Sequence, residues 1–118
     1  MCAINEVHTI YRVANKDGVG PYQNSDLLWS VLSSHNGYDK AGNPHHPGPQ
    51  QDEGIKRRPF ENEFCGFATM EDLHSWFSDE ELEVLEKHGY SIVQELGYVT
   101  AIGQAQILFR KINVEKAA

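Results

Sequence analysis

Alternating apolar and polar positions predict a strand over residues 7–14, which read Val-His-Thr-Ile-Tyr-Arg-Val-Ala. β-Branched and aromatic side chains favour this conformation, and alternate residues share a face of the strand. The pair Asp17-Gly18 follows as a turn signal, because glycine tolerates a positive φ. A second short strand is predicted around residues 21–23, at a sheet edge because Pro21 cannot donate a ladder hydrogen bond.

Alternation returns near the end of the chain. Residues 90–96 are predicted to form a strand, and Gly97 is predicted to turn the chain into a further extended segment over 98–102. Gly103 turns the chain again. Residues 104–112 are then predicted as the last strand.

The middle of the chain carries helical spacing instead. A helix is predicted from about residue 25 to 35, where apolar residues recur at intervals of three and four. Thr69-Met70-Glu71-Asp72 and Ser78-Asp79-Glu80-Glu81 match the capping-box pattern. Two successive helices, over 70–77 and 79–88, are therefore predicted as a helix-turn-helix.

Residues 37–64 show neither the alternation of a strand nor the three- and four-residue spacing of a helix. They hold four of the five prolines, so this stretch is predicted to be a long irregular loop. Strands thus cluster at the ends of the chain and helices in the middle. That order favours an α+β fold with a mainly antiparallel sheet. A length of 118 residues suits a single domain over 1–118.

Composition and charge narrow the classes of function. No run of about 18 apolar residues exists, so no membrane span is predicted. The N-terminal residues lack a basic and apolar leader pattern, and the two cysteines lack a Cys-x-x-Cys spacing, so a reduced, cytoplasmic protein is expected. Residues 61–95 hold ten of the acids against Lys87 alone, within a net charge of −7. General nucleic-acid binding is not expected, because it needs a broad basic face.

Metal and nucleophile chemistry have little support in the sequence. His45 and His46 are adjacent and lack the spacing of zinc ligands, which indicates exposed loop histidines. Cys65 lies between aromatic residues and is interpreted as a small buried hydrophobe rather than a nucleophile. The glycines at 18 and 20 lack the third glycine of a dinucleotide fingerprint. No cofactor and no enzymatic activity are therefore predicted.

The arginines are the strongest candidates for chemistry, because guanidinium groups bind phosphate in bidentate geometry and stack on bases. Arg12 and Arg110 lie on predicted strands and would converge if those strands were neighbours. Arg57 and Arg58 follow the loop, and nearby aromatic residues are candidates for stacking on a base. The candidate ligand-binding residues are Tyr11, Arg12, Tyr22, Arg57, Arg58, Phe77, Tyr90 and Arg110.

Several segments together resemble small proteins of phages and prophages. They are Tyr11-Arg12-Val13, Asp17-Gly18-Val19-Gly20-Pro21-Tyr22, His46-Pro47-Gly48-Pro49, Asp52, Cys65-Gly66-Phe67, Leu73, Trp76-Phe77 and Leu108-Phe109-Arg110. Among characterised phage proteins, the chain resembles the Thoeris anti-defence sponges.

That resemblance implies a homo-oligomer with an antiparallel sheet and a helix-turn-helix. It implies that the protein sequesters a cyclic ADP-ribose isomer or a cyclic oligonucleotide without cleaving it. Arg57 and Arg110 would contact the phosphates, and Phe77 or Tyr90 would stack on the base.

Two alternatives stay open. A Tyr-Arg strand and a later Gly-Phe-Ala-Thr segment resemble small ADP-ribosyltransferases, in which Glu95 would be the catalytic acid. The acidic residues of 70–88 would also suit an inhibitor that docks on a basic host defence protein. Acidic residues in first helical turns equally serve to oppose the helix dipole, which favours a solvated face.

Overall fold

The structure is a computed structural model that describes residues 3–23, 32, 49–50 and 52–112. Its regular elements in chain order are strand β1 (Val7–Ala14), a 3-10 helix (Pro21–Gln23), strand β2 (Phe64–Gly66), helix α1 (Met70–Trp76), helix α2 (Asp79–Lys87), strand β3 (Ser91–Ile102) and strand β4 (Ile107–Lys111). These elements confirm the α+β class and the two successive helices.

Four strands of the described residues form one antiparallel sheet in the order β1-β3-β4-β2. The sheet curls until its two outer strands approach each other. Just beyond β2, the backbones of Phe67 and Tyr11 exchange two hydrogen bonds of 2.8 Å each. The sheet therefore closes on itself at that point, as a small barrel does.

Large side chains fill the inside of this curl. Ile10 and Phe109 are fully buried there, together with Val99 and Ile107. A Cβ atom on Gly97 would lie 2.6 Å from Phe109 Cδ2 and 2.7 Å from Ile10 Cγ1, and one on Gly66 would lie 2.6 Å from Ile10 Cγ2. The two glycines thus leave the space that the two large side chains occupy.

The two helices pack over a second apolar cluster. Its buried residues are Val13, Leu32, Phe67, Leu73, Trp76, Phe77, Leu85 and Tyr90. Thr69 caps α1 by accepting a hydrogen bond from the Asp72 amide at 3.0 Å. Ser78 and Glu81 form a reciprocal capping box at the start of α2, as the sequence predicts.

Three predicted elements differ in the structure. Residues 21–23 form a 3-10 helix and not an edge strand. Gly97 is not a turn, because β3 runs unbroken through it and pairs with both β1 and β4. The last strand is shorter than predicted, because residues 103–106 form the turn between β3 and β4, closed by a 2.8 Å hydrogen bond from the Gly103 amide to the Gln106 carbonyl.

The predicted loop over 37–64 is described only in part. Its residues 37–48 and 51 lie outside the described residues, as does the predicted helix over 25–35 apart from buried Leu32. Residues 52–63 run without helix or strand into β2. Buried Asp52 anchors this segment, since its carboxylate accepts hydrogen bonds from the amides of Gln104 at 2.5 Å and Ala105 at 3.1 Å.

Along the described stretches of the chain, no helix has the length and apolarity needed to cross a membrane.

Candidate functional site

Two of the aromatic candidates lie in the helical core. Phe77 is 4% exposed and Tyr90 is 7% exposed, and both belong to the cluster under α1 and α2. The Phe77 ring packs edge-on against Phe67, with the ring centroids 6.3 Å apart. A ligand would reach either ring only if this core rearranged.

The other two aromatic candidates lie beside that core. Tyr11 is half-buried on β1 and packs against the helical cluster. Tyr22 keeps part of its ring exposed, but its hydroxyl is enclosed and accepts a 2.6 Å hydrogen bond from Trp76 Nε1. Burial of that hydroxyl raises the pKa of Tyr22 well above its ordinary range, because the charged phenolate would lose its hydration.

Arg12 is a buried structural residue in this fold. One guanidinium nitrogen donates to the Gly18 carbonyl at 2.6 Å, and the other donates to Glu95 Oε2 at 3.2 Å. The convergence of Arg12 with Arg110 does not occur, because β3 lies between β1 and β4. The register places Arg12 opposite Val93 and Arg110 opposite Tyr98, five residues apart on β3 and therefore on opposite faces of the sheet.

Arg57 is held by a buried carboxylate. Its two terminal nitrogens donate to Glu63 Oε1 at 2.6 Å and Oε2 at 2.8 Å, and its guanidinium carbon lies 4.4 Å from the centre of the Phe60 ring. The hydrogen bonds from Arg57, and then those from the Phe60 amide and the Thr100 hydroxyl, lower the pKa of Glu63 to about 2 against the opposing effect of burial. Arg58 is exposed, and its carbonyl accepts a further bond from Arg57 at 3.0 Å.

Arg110 lies on an open groove of about 570 Å³. The groove is lined by Asn62, Phe64, Tyr98, Arg110 and Lys111. We call it the β4 groove, because Arg110 and Lys111 are the last two residues of β4. Both cations are exposed, and both lie over aromatic rings: the Arg110 guanidinium carbon is 4.8 Å from the Tyr98 ring centre, and Lys111 Nζ is 4.7 Å from that of Phe64.

Sequence reasoning found Arg110 but missed the other four residues of the groove. Tyr98 is brought to Arg110 by the pairing of β3 with β4, and Phe64 is brought to β4 by the pairing with β2. Lys111 is the sequence neighbour of Arg110, but the two aromatic rings could have been identified only from these long-range registers. Of the eight candidate residues, the structure brings Arg110 alone to the β4 groove.

Cys65 retains exposed surface on β2, contrary to the expected buried hydrophobe. The protein packed around its sulfur, and then the negative charge of Glu63, raise the pKa of the thiol to about 11, so the thiol stays protonated near neutral pH. Within the described ranges, no group of three or more His, Cys, Asp or Glu residues is placed to hold a metal ion. His45 and His46 lie outside those ranges.

The carboxylates of the helix pair form the other charged surface. Those of Glu71, Asp72, Asp79, Glu80, Glu83 and Glu86 belong to exposed residues. Several of them lie in the first turns of α1 and α2, where negative charge stabilises a helix.

A family model described as "Bacteriophage T4 Y00F protein" matches residues 4–118 of the chain. No curated protein and no solved structure matches it.

Proposed function

Because the chain belongs to the bacteriophage T4 Y00F protein family, we propose a function suited to a phage protein: binding of a small phosphate-bearing nucleotide in the β4 groove. In this proposal the protein sequesters the nucleotide, an immune signal of the infected cell, and does not cleave it. The signal would be a cyclic ADP-ribose isomer or a cyclic oligonucleotide.

The observation that carries the proposal is the exposed Arg110 guanidinium, whose carbon lies 4.8 Å from the Tyr98 ring centre in the groove that Lys111 also lines. A guanidinium that stacks on a ring keeps its N–H edge free to donate to phosphate oxygens. Arg110 is also exposed, and nucleobases stack on arginine side chains as they do on aromatic rings. One groove thus offers contacts for both parts of a nucleotide.

The surroundings of Glu95 and Cys65 favour binding of a nucleotide over its cleavage. Glu95, the acid that an ADP-ribosyltransferase would need, accepts the hydrogen bond from buried Arg12. The raised pKa of Cys65 keeps its thiol in the protonated, poorly nucleophilic form. The Cys65 thiol is therefore not prepared to attack a nucleotide, and Glu95 already has Arg12 as a partner.

The test is calorimetric titration with cyclic ADP-ribose isomers and with cyclic di- and trinucleotides. We expect one class of probe to bind the wild-type protein, and Arg110→Gln to weaken that binding by about tenfold or more, because it removes a charge-assisted contact to phosphate. Lys87→Gln, which removes one exposed positive charge from the end of α2, is the matched control and should change the affinity less than twofold, on the order of the effect of a surface charge. No heat with any probe, from protein shown to be folded, would contradict the proposal.

The exposed carboxylates of α1 and α2 support a second candidate, an inhibitor that docks on a basic host defence protein. For that function, Glu80→Lys combined with Glu83→Lys would abolish capture of the partner, and Arg110→Gln would leave it intact. Native mass spectrometry of protein isolated from cells with active immune signalling separates the two candidates. A released nucleotide supports the first, and the same spectrum reports the proposed homo-oligomer.

A further inference from the structure

The β4 groove holds two cation–aromatic pairs. Arg110 over Tyr98 is the first pair, and Lys111 over Phe64 is the second. Arg110 and Lys111 are consecutive residues of one strand, so their side chains leave β4 on opposite sides. Lys111 stands opposite Gly97, which presents no side chain, and Arg110 stands opposite Tyr98. The groove therefore spans the end of β4 with one positive charge on each side.

Each cation lies over an aromatic ring that has a further contact of its own. The Tyr98 hydroxyl donates to Asn5 Oδ1 at 3.3 Å, which fixes the ring under Arg110. Phe64 packs against buried Phe109, with the ring centroids 6.0 Å apart, which fixes the ring under Lys111. Among the described residues, no carboxylate lies within ion-pair distance of either cation. Cation–π contacts alone leave the charges available to an anion.

From this arrangement we infer that the β4 groove is a bipartite site for a dinucleotide, whose two separated phosphodiester groups meet Arg110 and Lys111 on the two sides of β4. The inference rests on the proposed function and specifies its ligand. A mononucleotide would meet one cation and leave the second without a partner.

The test compares cyclic di-AMP, ADP and AMP as probes of the wild-type protein, Arg110→Gln, Lys111→Gln and the control Lys87→Gln. We expect cyclic di-AMP to bind at least about tenfold more tightly than AMP, because it gains a second charged contact. Each groove variant should weaken cyclic di-AMP binding by about tenfold, and each should make the affinity less dependent on salt concentration, because one screened charge contact is lost.

Three results would overturn the inference. Equal affinity for AMP and cyclic di-AMP would do so, and so would an ADP affinity as high as that for cyclic di-AMP. The inference would also be overturned if Arg110→Gln lost binding while Lys111→Gln kept the wild-type affinity. In all three cases the proposed nucleotide binding would stand. Both proposals would be overturned if the protein bound none of these three probes and none of the cyclic ADP-ribose isomers and cyclic di- and trinucleotides of the calorimetric test.

A measurement on the wild-type protein removes any dependence on folding of the variants. Nuclear magnetic resonance titration with cyclic di-AMP should shift the side-chain signals of both Arg110 and Lys111 at the same ligand concentration. A shift confined to one of them contradicts a bipartite site. The thermal unfolding midpoints of the variants complete the control, since both residues are exposed and their replacement should leave the fold intact.

Discussion

Glu63 shows how one residue organises the segment before β2. Its carboxylate is 2% exposed, yet it accepts hydrogen bonds from Arg57, from the Phe60 amide and from the Thr100 hydroxyl. A buried charge is tolerated only when it is paired and hydrogen-bonded in this way. Removing Arg57 would therefore cost most, because the buried carboxylate would lose its charged partner, whereas the Arg57 side chain is 34% exposed and would stay hydrated without Glu63.

The buried Glu63 carboxylate makes the stability of the fold depend on pH. The folded pKa of Glu63 is about 2 against an ordinary value of 4.5. Its contribution to stability is therefore fully present above pH 4.5 and is lost as the pH falls towards 2. The part that titrates is on the order of 3 kcal/mol. Urea unfolding of the wild-type protein and of Glu63→Gln at several pH values should show the difference between them shrinking across this window. A difference that stays constant would contradict the prediction.

At the scale of elements, Gly97 explains both a failure of sequence reasoning and the shape of the sheet. A glycine inside an alternating pattern indicates a turn when only local conformation is considered. In the structure, the missing side chain instead makes room for Ile10 of β1 and Phe109 of β4, which meet across β3. The need for a glycine at position 97 is set by residues that are distant in the sequence, so no local pattern could reveal it.

Replacing Gly97 with alanine should therefore destabilise the sheet. The new Cβ would lie within 2.7 Å of atoms of both large side chains, and such overpacking costs about 1–3 kcal/mol. Gly20→Ala is the control, since its Cβ would lie 3.8 Å from the nearest atom, the carbonyl oxygen of Val13, which is an ordinary contact. Thermal unfolding should show a lower midpoint for Gly97→Ala alone. Equal midpoints would mean that the curl accommodates the extra methyl group.

For the molecule as a whole, the sequence predicted which segments form strands and helices better than it predicted which strands pair with each other. The α+β class, β1 and the two helices follow from local alternation, spacing and caps. The strand order, the contact of Tyr11 with Phe67 and the assembly of the β4 groove depend on pairings between distant segments. Arg110 was identified by its residue type, whereas Phe64 and Tyr98 gained their place beside it only through the sheet register.

Asp52 joins two distant parts of the molecule, and its replacement tests that connection. Asp52→Asn would set an amide nitrogen or a weaker acceptor against the amides of Gln104 and Ala105, and should cost about 1–3 kcal/mol. Hydrogen exchange at those two amides should accelerate in the variant, and Asp17→Asn, in an exposed turn, should leave it unchanged. Exchange at the wild-type rate in Asp52→Asn would show that the turn between β3 and β4 holds without this anchor.

The pairing of β1 with β3 also sets the earliest moment at which the chain can fold during its synthesis. Arg12 and its partner Glu95 are 83 residues apart. At elongation rates of about 5–20 residues per second, a ribosome needs between about 4 and 17 s to make the chain between them. For that interval Ile10 and Val13 have no strand beside them, and the nascent chain exposes the apolar residues that the finished sheet buries.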